Sequence, residues 1–210
     1  MESPLAEAVS KRAATLAAAA RRLNSAAGVS APFFLAFLTD RARIRDPIPI
    51  AAALPAGAAL VLRDYDMSER GVLARALRRV CADRGVLFLV GGDEALAREI
   101  RADGVHLRSD QLAVERPGFP IVSASCHSAN ELERAATLGA DLVFLAPAFA
   151  TASHPGASTL GTTAFKALAE NAPLPVLALG GVNERNALAL AGPNVAGFAA
   201  IGAFAPLAKS

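Results

Sequence analysis

The chain has 210 residues, 53% of them hydrophobic, and a formal net charge of +2. That length suits one α/β domain with a large core. The charge shows no basic excess pointing to nucleic acid, and no apolar run reaches membrane-spanning length.

Cys81 and Cys126 carry no metal-ligand spacing and suggest no disulfide framework, which fits a reducing cytoplasm. Residues 1–31 read as a helical extension. Its apolar piece, TLAAAA, lies between Lys11-Arg12 and Arg21-Arg22 and is too weak for a signal peptide. Leu5, Val9, Leu16 and Leu23 fall near one helical face, and Gly28 and Pro32 end the helix.

Residues 32–210 read as strands alternating with helices. Phe33 to Leu38 is almost fully apolar, the pattern of a strand covered on both faces. A loop with Pro47 and Pro49 and a helical piece at Ile50 to Leu54 follow it. Ala58 to Leu62 is the second strand, ending in Arg63. Asp66 and Ser68 offer caps to a helix over Val72, Leu73, Ala76, Leu77 and Val80, stopped by Gly85. Val86 to Val90 is the third strand, broken at Gly91-Gly92. Asp93 caps the next helix. Asp103 to Leu107 is the fourth strand, and a weak helical segment follows Ser109.

Ile121 to Ser125 is the fifth strand. Ser128 and Glu131 have capping-box spacing. Leu142 to Ala146 is the sixth. The loop from Pro147 to Gly161 is small and polar and holds His154; Thr162 or Thr163 caps the helix after it. Leu174 to Leu179 is the seventh strand, broken at Gly180-Gly181. Asn183 opens a helical stretch, and Val195 to Ile201 is the eighth strand, broken at Gly202.

Eight buried strands alternating with helices, each unit near the minimum for a crossover, predict an α/β fold: a single (β/α)8 TIM barrel. Too few residues follow strand eight for a full last helix, while the N-terminal helix is extra. The extra helix is expected to cover apolar surface at the barrel closure or its lower mouth.

In this fold the working residues sit at the C-terminal strand ends. Paired glycines there let backbone N–H groups approach a ligand. Gly180, Gly181 and Gly202 after the last two strands therefore predict a phosphate site, with simple tight turns as the alternative. Arg63 suits a phosphate or carboxylate; its alternative is a rim salt bridge to Asp64 or Asp40. Strand alternation puts Ser123, Ser125 and His127 on one side and Cys126 on the other. His127 is the candidate general acid–base residue; its alternative is a helix cap or a backbone bond. His106, inside GVHL, reads as a structural histidine, and His154 as a solvated one.

These pieces resemble the thiamine phosphate synthase superfamily, which also contains a thiazole tautomerase. The resemblance rests on LTDR at 38–41, LRDYD at 62–66, ADGVHL at 102–107, SCHSANELERA at 125–135, GADLVFLAPAF at 139–149, HPGASTLG at 154–161, LGGVNERN at 179–186 and the final GFAAIGAF. It implies a role in thiamine biosynthesis and a pyrimidine diphosphate joined to a thiazole phosphate. It also implies magnesium and several cations around the diphosphate.

The sequence departs from that pattern where the diphosphate belongs. Gln-x-Arg-x-Lys of the family is Val61, Arg63, Tyr65. Its Asn-Asp is Gly91-Gly92. The second magnesium carboxylate falls at Gln111 and a lysine at His154. Asp93 and Asp110 each lie one residue from a lost carboxylate. By resemblance Gly180, Gly181, Ile201 and Gly202 hold phosphate, Arg63 and Ser125 contact the ligand, and His127 matches the tautomerase proton-transfer residue.

The expectation is a family member that binds a phosphorylated thiazole-like ligand, with no metal site and no magnesium cofactor. Two alternatives stand beside it: a metal-independent tautomerase-like isomerase using His127, and a non-catalytic phosphate-ligand binding or regulatory protein. The expected partner is a phosphorylated small molecule, with neither nucleic acid nor membrane. Homo-oligomerisation stays open.

Overall fold

The computed structural model describes residues 4–112, 115–151 and 158–205. Eight parallel strands close into a barrel in sequence order, β8 pairing back onto β1. They are β1 (Leu35–Leu38), β2 (Ala59–Leu62), β3 (Leu87–Gly91), β4 (Gly104–Leu107), β5 (Ile121–Cys126), β6 (Leu142–Leu145), β7 (Val176–Ala178) and β8 (Val195–Ala200). Around them lie α1 (Pro4–Ala27), α2 (Ile48–Ala53), α3 (Arg70–Arg84), α4 (Glu94–Glu99), α5 (Ala129–Leu138) and α6 (Gly161–Glu170).

Alternation along each strand divides the core in two. Leu35, Phe37, Leu60, Leu62, Phe88 and Val90 point outward and pack with the helices. Ala36, Leu38, Ala59, Val61, Leu89 and Phe144 point inward and fill the barrel. The strands read as unbroken apolar runs because both faces are buried.

Several local expectations change. Asp66 and Ser68 do not cap α3, which starts at Arg70 behind Glu69 with no side-chain cap bond. Its buried line is Arg70, Ala74, Leu77 and Cys81, and Val72 is exposed. Thr162 and Thr163 lie inside the first turn of α6, which has no side-chain cap. The helical segments expected after Ser109 and after Asn183 shrink to 3-10 turns at Ser109–Gln111 and Ala187–Leu190. Asp93 and Ser128 cap as expected, each accepting from the amide three residues on.

After β8 only a 3-10 turn, Gly202–Phe204, follows among the described residues. α1 fills the space that a longer last helix would take. It packs on β8 and β1 at the closure, and against α2 and the turns at Ala187–Leu190 and Gly202–Phe204. Val9, Ala13, Leu16, Ala17, Ala20 and Leu23 form its buried stripe. Leu5 departs from the expected stripe and is exposed.

Candidate functional site

The C-terminal strand ends open into a cavity of about 940 Å³. Arg63, Ser125, His127, Gly180, Gly181, Ile201 and Gly202 all line it. Four strands contribute these residues or the turns that carry them, so only barrel closure brings them together. His154 lies outside the described residues.

On one side are the turns after β7 and β8. Gly180 and Gly181 have φ of +94° and +65°, which disfavours any residue with a Cβ. A Cβ on Gly180 would meet Pro147 Cα at 2.8 Å, and one on Gly181 would collide with the Ala150 carbonyl oxygen. Part of the demand for glycine is therefore steric, set by the loop after β6. The turn is also braced by Asn186, whose Nδ2 donates to the Gly181 carbonyl at 2.9 Å while its Oδ1 accepts from the Asn183 amide at 2.8 Å. No backbone bond among the described residues uses the amides of Gly180 or Gly181. A built Cβ on Gly202 meets nothing within 4 Å, so the cavity is open there.

The cations come from other strand ends and from α1. Arg63 follows β2, and its Nη2 donates to Asp40 Oδ2 at 2.7 Å. Its two alternative readings therefore both hold in geometry, since it pairs at the rim and lines the cavity. Asp40 is shared with Arg43 Nε at 3.5 Å. Arg108, just past β4, pairs with Asp110 at 2.6 Å. Arg12 reaches in from α1. Four arginines line the cavity and no carboxylate does so among the described residues. Such a lining favours an anion.

His127 is exposed on the turn between β5 and α5. Its Nδ1 lies 2.9 Å from the Ala146 carbonyl oxygen. A carbonyl only accepts, so Nδ1 carries the proton and the neutral ring keeps a lone pair on Nε2. Cys126 points the other way into the helix layer, and burial pushes its thiol up to about 12. It is a core residue with no nucleophilic part.

His106 sits inside the barrel, 1% exposed, against the Phe144 ring at 4.5 Å. Its Nδ1 bonds Ser123 Oγ at 2.9 Å and its Nε2 bonds Ser125 Oγ at 2.8 Å. Ser123 also donates to the Val105 carbonyl. In that direction Nδ1–H donates to Ser123 and Nε2 accepts from Ser125, whose lone pairs then face the cavity. Ser125 thus joins the cavity to a buried, satisfied histidine.

Burial, helped by the Arg63 charge, lowers His106 from its ordinary 6.5 to about 3. Above pH 6.5 neither the folded nor the unfolded state holds that proton. As pH falls below 6.5 the unfolded chain takes it up first and stability drops, until the folded ring titrates near 3. Between pH 6.5 and 4.5 the loss is expected to be about 2–3 kcal/mol. Urea titrations of wild type and His106→Gln check this: the variant should lack that part of the pH slope. Equal slopes in the two proteins would rule it out.

Where the resemblance expects metal carboxylates, arginines and an aromatic ring are found. Tyr65 lies on Gly91-Gly92, its Cε1 3.2 Å from a Cβ built on Gly92. Arg70 and Arg108 flank its ring at 5.6 and 5.5 Å. Burial raises the Tyr65 hydroxyl, so it stays a neutral phenol. Arg70 is buried; its Nη2 holds the carbonyls of Leu62 and Gly91, and its Nη1 holds Asp93 at 3.2 Å. Asp93 also caps α4, and Asp110 is held by Arg108. No group of three His, Cys, Asp or Glu suited to a metal occurs among the described residues.

Sequence reasoning passed over Arg12, Arg43, Arg70 and Arg108 as parts of this end of the barrel. Arg108 was within reach, because it directly follows a strand end. Arg12 carries no local signal, lying more than 160 residues before its partners.

The thiamine monophosphate synthase family model matches residues 35–204. The thiamine-phosphate synthase of Coprothermobacter proteolyticus is 36% identical over 162 residues, 72% of this chain and 75% of its own. That of Acidithiobacillus ferrooxidans is 34% identical over 168 residues, 73% of this chain and 77% of its own. A thiamine phosphate pyrophosphorylase from Pyrococcus furiosus superposes with a TM-score of 0.67 at 25% identity, over 86% of this chain and 87% of its own. With a match that spans every barrel strand and leaves out α1, the chain belongs to the thiamine monophosphate synthase family.

Proposed function

We propose that the cavity binds the monophosphate ester of a thiazole-like heterocycle, with the phosphate on the turns at Gly180, Gly181 and Gly202. In this reading His127 moves a proton on the bound ring, and no magnesium takes part. The observation that carries it is a cavity lined by four arginines and no carboxylate among the described residues.

Magnesium needs a near-octahedral set of oxygen ligands, usually with one or two free carboxylates. The residues present do not fit it. Asp93 and two nearby carbonyls are committed to the Arg70 guanidinium, itself a cation where a metal would compete. Asp110 is committed to Arg108, and the Tyr65 ring covers Gly91-Gly92. Joining a pyrimidine diphosphate to a thiazole needs a stabilised diphosphate leaving group, and this half of the pocket is poorly equipped for that.

Proton transfer on a bound monophosphate needs less. Nε2 of His127 is a base at the cavity wall, held by Nδ1–H on the Ala146 carbonyl. Removing a ring proton and returning it at another atom isomerises the heterocycle without net change. Ser125, held by His106, accepts a hydrogen bond from the ligand.

Two measurements test the reading. Pyrophosphate release from pyrimidine diphosphate plus thiazole phosphate, with and without magnesium, is expected to stay at background. Robust magnesium-dependent release would overturn the metal-free reading. Calorimetry should then show thiazole phosphate binding; no heat at millimolar ligand would reject the phosphate site.

A further inference from the structure

α1 lies outside the matched family span, yet one of its side chains reaches the cavity. Arg12 donates through Nε to the Ala203 carbonyl at 2.6 Å and through Nη1 to Glu184 Oε1 at 2.6 Å. Ala203 follows Gly202 after β8. Glu184 stands three residues past Gly181 after β7. A single guanidinium therefore bridges the two glycine turns.

The pair is well shielded. The Arg12 side chain is only 12% exposed and that of Glu184 is 20% exposed. The bond from Arg12 holds the Glu184 carboxyl below its ordinary range. The two bonds use two of the five N–H groups on the guanidinium. Arg12 lines the same wall as Gly180, Gly181, Asn183, Gly202 and Ala203. A plain helix staple does not need to share a wall with both turns.

We infer that Arg12 is a positioning residue of the phosphate site, supplied by α1. Its fork holds the turns after β7 and β8 at one spacing, so that their amides converge on one anion. Its positive charge also offsets Glu184, which would otherwise repel that anion. Because the same side chain ties α1 to the barrel, occupancy of the phosphate site and docking of α1 strengthen each other. The inference rests on the phosphate reading of those turns.

The test uses full-length wild type, Arg12→Met and Arg12→Lys, titrated with inorganic phosphate, thiazole phosphate and the matching thiazole alcohol. Arg12→Met is expected to weaken both phosphate probes by about tenfold or more, as for a charge-assisted contact, and to leave the alcohol unchanged. Arg12→Lys keeps a charge but cannot span both partners, so it should fall between the two. Phosphate should also slow amide exchange across residues 4–27 in wild type and not in Arg12→Met.

Equal weakening of phosphate ester and alcohol would mean that Arg12 only holds the fold, and would overturn the inference. So would unchanged phosphate affinity in Arg12→Met. Should Arg12→Met fail to fold, Arg12→Lys decides: wild-type phosphate affinity and wild-type protection of α1 would overturn it. Wild type that binds neither phosphate probe would refute the phosphate reading itself, and the inference with it.

Discussion

Deletion of residues 1–30 is expected to remove soluble, folded protein rather than leave a smaller working barrel. β8 and β1 carry outward Phe198, Leu35 and Phe37, all fully buried. Among the described residues only the turn Gly202–Phe204 follows β8; its Phe204 ring meets Phe37 at 5.1 Å, but the turn is too short to cover the rest. α1 does so with Val9, Leu16 and Leu23. Burying three such side chains stabilises by roughly 5–9 kcal/mol before opposing entropy, at about 1.5–3 kcal/mol each. A whole domain is stable by only about 5–15 kcal/mol. The truncated strands would also expose a contiguous apolar face at the closure, a route to aggregation. Soluble yield and melting temperature measure this. A truncated chain with an unchanged melting temperature would show that α1 is dispensable. The deletion also removes Arg12; the point variants separate support of the barrel from positioning of the turns.

The barrel was legible because its signal is repeated. Each strand is an apolar run covered on both faces, and each ends at a break such as Arg63, Gly91-Gly92 or Gly180-Gly181. A rule about which strand ends carry chemistry then selects residues far apart in the chain. Six of them, with Ile201 added by the resemblance, line one cavity. Helix starts were less legible. Asp66 and Ser68 are good caps by type, yet α3 begins later, where Arg70 is drawn under Tyr65 to bond strand-end carbonyls. Tertiary contacts outweighed local capping preference there.

The charged partners were least legible. The resemblance names Asp93 and Asp110 as carboxylates beside positions where the family has metal ligands, but not that Arg70 and Arg108 engage them. Nor does it reveal that Tyr65 lies on two glycines. Side chains there fill space that a carboxylate or a ligand would otherwise enter. Gly92 and Tyr65 fit together, since the ring takes the room that a Cβ would need. Four arginines and no carboxylate among the described residues make the cavity a host for an anion.

His127→Asn is expected to lower the isomerisation rate of a bound thiazole carboxylate phosphate by about 10²- to 10⁴-fold, the usual range for a lost general base. Affinity for the phosphate should change little, because that group sits on the turns after β7 and β8 in the proposed pose. Asparagine retains a side-chain N–H that can reach the Ala146 carbonyl, the bond that now orients the ring. What it lacks is the basic Nε2 lone pair. The split between rate and affinity is therefore the informative result. Solvent deuterium uptake into the ligand reads the proton step directly and does not depend on product release. Loss of uptake with retained binding heat places His127 at the reacting atom. Retained uptake would remove it from the mechanism and leave the arginine-lined cavity as a binding site alone. Loss of both would mean instead that the turn between β5 and α5 had moved. That turn is held by Ser128 capping α5 and by Glu131 accepting from the His127 amide, two contacts the substitution leaves in place.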